Sequence, residues 1–139
     1  MAEVQAKAPA RRLEEIRPLS PHLQIYKWTW TMAMSVFHRL TGIALYFGTI
    51  LIVGWLAALA AGPGPYECAR WLMTSIIGKL VLIGYTWALF HHLLGGVRHF
   101  IWDTGAGFER NARMTLAKLT LVGSIVLTVV FWAIVALAG

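Results

Sequence analysis

Apolar residues fill three long blocks of this chain, at about residues 40–61, 71–97 and 116–138, with short glycine-rich or charged stretches between them. Each block is near or above the ~20 residues an α-helix needs to cross ~30 Å of hydrocarbon. With their polar shoulders included, the blocks predict membrane spans at about 32–61, 71–98 and 115–138. The fold class is therefore all-α integral membrane, with residues 31–139 as a three-helix transmembrane domain. Residues 1–30 read as an amino-terminal arm followed by an interfacial segment. Pro18 and Pro21 disfavour helix just before them, and Tyr26, Trp28 and Trp30 are rings of the type that settles at headgroup level.

Composition agrees, since 58% hydrophobic residues exceed, and 13% charged residues fall well below, what a soluble domain carries. Charge placement adds orientation. Lys7, Arg11, Arg12, Arg17, Lys27 and Arg39 precede or open the first span, and Arg98, Arg110, Arg113 and Lys118 lie between the second and third. The loop at 62–70 offers Arg70 alone, so the amino terminus and the second loop face the cytoplasm, or the matrix of an organelle. This rule, with contact to anionic membrane lipid, accounts for the net charge of +6. Nothing resembles a nucleic-acid patch, and no nucleic-acid partner is expected.

Cys68 is the one cysteine, so neither an internal disulfide nor an iron–sulfur spacing exists. The first sixteen residues include Glu3, Glu14 and Glu15 and lack an apolar core, which suits neither a secretory signal nor an acid-poor transit peptide. They read as a retained arm.

The candidate chemistry lies in two short stretches. On a helix, Ser35, His38, Arg39 and Gly42 fall on one stripe, combining a hydroxyl, an imidazole, a permanent cation and a gap. A quinone entering from the bilayer needs a hydrogen-bond donor, a positive charge for its singly reduced anion and a proton route. Ser35, Arg39 and His38 can supply these in that order, although Arg39 by itself also suits simple snorkelling to headgroups.

The second stretch opens at His92, an imidazole inside an apolar span, which needs a partner. Haem iron is one such partner. His99 lies seven residues on, two turns or about 10 Å along nearly the same face, whereas His91 points roughly 100° away; on pattern alone either His91 or His92 can ligate. Gly95 and Gly96 let a flat macrocycle or a neighbouring helix come close. Asp103 follows His99 by four and can accept from it, and Lys79 falls about a third of the way into the second span, snorkelling to the opposite face. Thr120, Ser124 and Thr128 form a four-residue series that predicts a helix-contact stripe in the third span.

Three stretches, Arg17-Pro18 with Leu23, Ser35-x-x-His38-Arg39-x-Thr41, and His92-x-x-x-Gly96-Val97-Arg98-His99-x-x-Trp102-Asp103-x-Gly105, occur in order over residues 17–105. In this the chain resembles the cytochrome b556 family of succinate dehydrogenase, the membrane anchor of respiratory complex II. The resemblance implies haem b with His92 as axial ligand to its iron, the other axial histidine coming from a second anchor subunit. It implies that Ser35 and Arg39 line a site for ubiquinone as substrate. His38 and His99, with Arg39, would lie beside the haem propionates and the quinone pocket. It further implies FAD on a flavoprotein subunit, clusters on an iron–sulfur subunit, and a bacterial inner membrane with the amino terminus cytoplasmic.

The residues independently favour a second subunit. Three helices make an incomplete four-helix cage, and no other helix carries a second ligand at the depth of His92, because His38 sits nearer the surface. Two alternatives remain from the sequence: a self-contained small b-type cytochrome, and a purely structural anchor without cofactor.

Overall fold

The computed structural model describes residues 27–138. They form four helices: α1 (Trp30–Ala61), α2 (Pro63–Thr74), α3 (Ile76–Asp103) and α4 (Arg110–Ala138). Of these, α1, α3 and α4 are long and apolar enough to cross a membrane. The amino-terminal arm, including the Arg17-Pro18 stretch, Leu23 and Tyr26, lies outside the described residues.

The second span departs most from the sequence reading. Instead of one helix from about 71, the chain folds residues 63–74 into α2, and α3 starts only at Ile76. Gly62 turns the chain at φ 109°, a left-handed value that glycine accepts without strain, and Pro63 occupies the start of α2, where its missing N–H goes unneeded. Ser75 then makes the corner. In extended conformation, it donates its Oγ to the Leu72 carbonyl at 2.6 Å and accepts the Gly78 N–H at 3.1 Å, so one hydroxyl closes α2 and caps α3. Gly78 presses so close to the backbone of Leu72 and Met73 that a Cβ there has no room. In consequence Lys79 lies in the first turn of α3, not a third of the way along a span.

The other helix ends run past the hydrocarbon limits that hydropathy marks. Helix α3 continues to Asp103 rather than 98, and α4 begins at Arg110 rather than 115, because charged residues leave the membrane without leaving the helix.

Helix α3 is central, packing most extensively on α4 and also on α1 and α2. Along α1 the line Met34, His38, Thr41, Leu45, Gly48 turns inward at alternating spacings of four and three, the seam of two packed helices. At Gly48 the absent side chain admits the ring of Tyr85. The interior is unusually polar: Thr41, His91, Arg98, Thr120, Ser124 and Thr128 are buried, against Met34, Ala88 and Ala117 among the apolar residues. Large aliphatic and aromatic side chains instead cover the outside, as expected where hydrocarbon is the solvent and small or hydroxylated residues bring helices together. The Thr120, Ser124, Thr128 series is thus a contact stripe, as its spacing predicts.

Candidate functional site

Three imidazoles meet where α1 crosses α3. The rings of His38 and His92 stack in parallel, 4.1 Å between centroids and 4° between planes, so His38 lies at the depth of His92 and not nearer the surface as the sequence suggested, and His99 stands 5.2 Å from His38. Two glycines make this possible. Gly42 leaves the space into which the His92 ring fits, with Cε1 3.0 Å from where a Cβ would sit. Gly95 does the same for His38, whose ring occupies the position its Cβ would take. The Gly95-Gly96 pair therefore divides: Gly95 serves the neighbouring helix, whereas no neighbouring atom of the described residues lies within 4 Å of a Cβ at Gly96.

Hydrogen bonding fixes the tautomer of His92. Its Nδ1 is 3.1 Å from the backbone carbonyl of His38, a group that only accepts, so the proton resides on Nδ1. Nε2 then carries the free lone pair, and it has no hydrogen-bond partner among the described residues. Thr41 Oγ1 lies 3.4 Å from the same Nδ1 and is itself 2.9 Å from the carbonyls of Phe37 and His38, to which it donates. A ring nitrogen bonded to a carbonyl, with the opposite nitrogen exposed as a base, is the arrangement in which histidine binds a metal. The ring is half-buried, and one turn further on, at Gly96, α3 is open among the described residues. Among the described residues no cluster of three or more histidine, cysteine or carboxylate side chains forms a metal cage of its own.

His91 faces elsewhere. It is fully buried, and its Nδ1 lies 3.3 Å from Ser124 Oγ on α4. Because that hydroxyl donates to the Leu121 carbonyl at 2.8 Å, it accepts from His91. Trp87 at 5.1 Å and Phe37 at 6.2 Å enclose the ring.

The Ser35, His38, Arg39, Gly42 stripe splits in the folded chain. His38 and Gly42 turn to α3, while Ser35 and Arg39 are exposed and line a cleft of about 270 Å³ with Trp28, Met32 and Val36. Exposure of both on one wall leaves a hydroxyl and a guanidinium side by side, open to a ligand arriving laterally. His99 is exposed, and its ring meets Trp102 edge-on at 5.2 Å; it makes no hydrogen bond with Asp103, which stays exposed at the end of α3.

Sequence reasoning gave no task to Thr41 and counted Arg98 only among the charges between the second and third spans, yet Thr41 is buried and Arg98 lies buried within α3. The signal for Arg98 was its position seven residues after His91, which returns it to the same inward face. For Thr41 it was the three-residue step from His38.

The chain matches the family model described as the succinate dehydrogenase/fumarate reductase transmembrane subunit over residues 14–131. It is 42% identical over 113 residues to a succinate dehydrogenase cytochrome b556 subunit of Paracoccus denitrificans, covering 81% of this chain and 87% of that protein. A cytochrome b556 subunit of Rickettsia conorii is 37% identical over 116 residues, 84% of this chain and 90% of its own. A mitochondrial cytochrome b560 subunit of succinate dehydrogenase from Sus scrofa is 40% identical over 134 residues, 93% of this chain and 74% of its own. Three membrane spans, the polar α1–α3 crossing and these matches converge, and the chain belongs to the succinate dehydrogenase/fumarate reductase transmembrane subunit family.

Proposed function

We propose that this chain is the cytochrome b anchor of a succinate:ubiquinone oxidoreductase in a bacterial inner membrane, with its amino terminus cytoplasmic. It would share haem b with a second anchor subunit and dock an iron–sulfur and a flavoprotein subunit that oxidise succinate. The observation that carries the reading is the Nδ1 bond from His92 to the His38 carbonyl, which leaves Nε2 with a free lone pair. Bound haem would supply a one-electron carrier. His92 is assigned as its axial ligand, and His38, His99 and Arg39 as the polar groups nearest its carboxylates. Ser35 and Arg39 are assigned to ubiquinone: the hydroxyl donates to a carbonyl oxygen, and the guanidinium stabilises negative charge as it develops. Lys7, Arg11, Arg12, Arg17 and Lys27 before α1, and Arg110 and Arg113 at the start of α4, support the cytoplasmic placement.

Two pairs of variants test this in the assembled complex. His92→Ala should abolish the low-spin haem spectrum while His91→Ala keeps it; the reverse result would move the ligand by one residue. Ser35→Ala and Arg39→Ala should slow ubiquinone reduction and leave succinate oxidation by an artificial acceptor intact. Unchanged quinone kinetics in both would remove that assignment.

A further inference from the structure

Arg98 is the one charged side chain buried among the described residues, only 4% exposed, and no carboxylate lies within ion-pair distance of it. Its Nε is buried without a hydrogen-bond partner. Among the described residues it meets an aromatic face, with Cζ 5.1 Å from the ring centre of Trp102. A guanidinium does not lose its proton in a protein, so this is a full positive charge held inside the bundle, and its desolvation is offset mainly by a ring quadrupole. Such a charge costs stability, and at a position where leucine would pack without cost a physical role for it is expected.

The position indicates the role. Arg98 lies six residues after His92 on the same helix, about 9 Å along its axis. It is near enough to His38, which stacks on His92, for the two to interact electrostatically. Trp102 touches Arg98 with its face and His99 with its edge, joining the cation to the imidazole cluster. Because Arg98 is buried and has no ion-pair partner among the described residues, its field is screened less than that of an exposed charge such as Arg39.

We infer that Arg98 is an electrostatic positioning residue whose buried charge raises the reduction potential of the haem held at His92. The inference rests on the proposed reading of His92. A fixed cation favours the state with one more electron, and removing it favours the oxidised state, so the sign of the effect is set.

The test is an equilibrium redox titration of the haem absorbance in the intact complex, comparing the parent with Arg98→Gln and Arg98→Met. Both neutral variants should show the parental low-spin spectrum and a midpoint shifted downward by similar amounts, despite their different polarity. A parental midpoint in either, with the spectrum intact, overturns the proposal. If neither neutral variant retains haem, Arg98→Lys decides. A haem-loaded Lys complex means that the cofactor requires the charge, and a haem-free one means that the guanidinium serves packing and the proposal falls. Absence of haem from the parent complex would instead refute the reading of His92.

Discussion

Gly95→Ala is the most direct test of the α1–α3 crossing, because the space at Gly95 is already filled by the His38 ring. That ring has little freedom to yield. It is stacked at 4.1 Å on His92 and stands 5.2 Å from His99, and the Thr41 hydroxyl and His92 both bond the His38 carbonyl. Adding a methyl group therefore forces either the helices apart or the stack open, a cost of about 1–3 kcal/mol for overpacking. The comparison is Gly123→Ala on α4, where a Cβ would come 3.0 Å from Leu94 Cδ1, the far end of a flexible side chain that can rotate away. Both substitutions lie inside a helix, so the gain of roughly 1 kcal/mol in helix propensity from glycine to alanine cancels in the comparison. Gly95→Ala should thus be about 1–3 kcal/mol less stable than Gly123→Ala, a shift of roughly 5- to 150-fold in the folded ratio. Reversible denaturation of the purified complex in mixed micelles, followed by circular dichroism, measures the gap. Equal stability of the two variants would refute the packing argument.

At the α2–α3 corner, Ser75→Ala removes the hydroxyl that caps both helices and should cost about 1 kcal/mol in the same assay. Gly78→Ala should cost more, because its Cβ would meet the Leu72 carbonyl and the Met73 backbone, neither of which can rotate away. A Gly78→Ala protein more stable than Ser75→Ala would count against the corner as described. In Ser124→Ala, the buried Nδ1–H of His91 loses its acceptor, a loss of about 1–3 kcal/mol. The haem spectrum of that variant should not change, and a changed spectrum would place His91, not His92, at the iron.

The three spans were legible because bilayer thickness imposes length and hydropathy on any helix that crosses it, whatever its neighbours. Helix ends were less so. Gly62-Pro63-Gly64-Pro65 has the composition of a loop, yet Pro63 suits the first helical position, and the break falls later, at Ser75, within a run that hydropathy alone joins to the span. The site divides in the same way. Periodicity correctly brought His92 and His99 to one face of α3, since that depends on a single helix. It grouped Ser35 and Arg39 with His38 and Gly42, although α1 turns about 100° between residues 38 and 39, enough to send one side chain inward and the other to the surface. Which neighbour each residue then meets depends on where α3 and α4 lie, and no pattern within α1 contains that.

His91 and His92 show what the neighbours add. Consecutive residues on a helix point about 100° apart, so they cannot share a task. Ser124 on α4 gives His91 an acceptor in a fully enclosed setting. For His92 the acceptor is a backbone carbonyl, a group that normally serves its own helix and is shielded by the side chain one turn on. At His38 that following residue is Gly42, whose missing side chain opens a path for an imidazole from α3. Gly42 therefore acts on the tautomer of His92 from a different helix: a Cβ there would stand 3.0 Å from Cε1 and press the ring away from the carbonyl that holds its Nδ1 proton. The glycine in the first motif and the histidine in the second form one device, fifty residues apart in the chain. Each looks ordinary until the α1–α3 crossing brings them together.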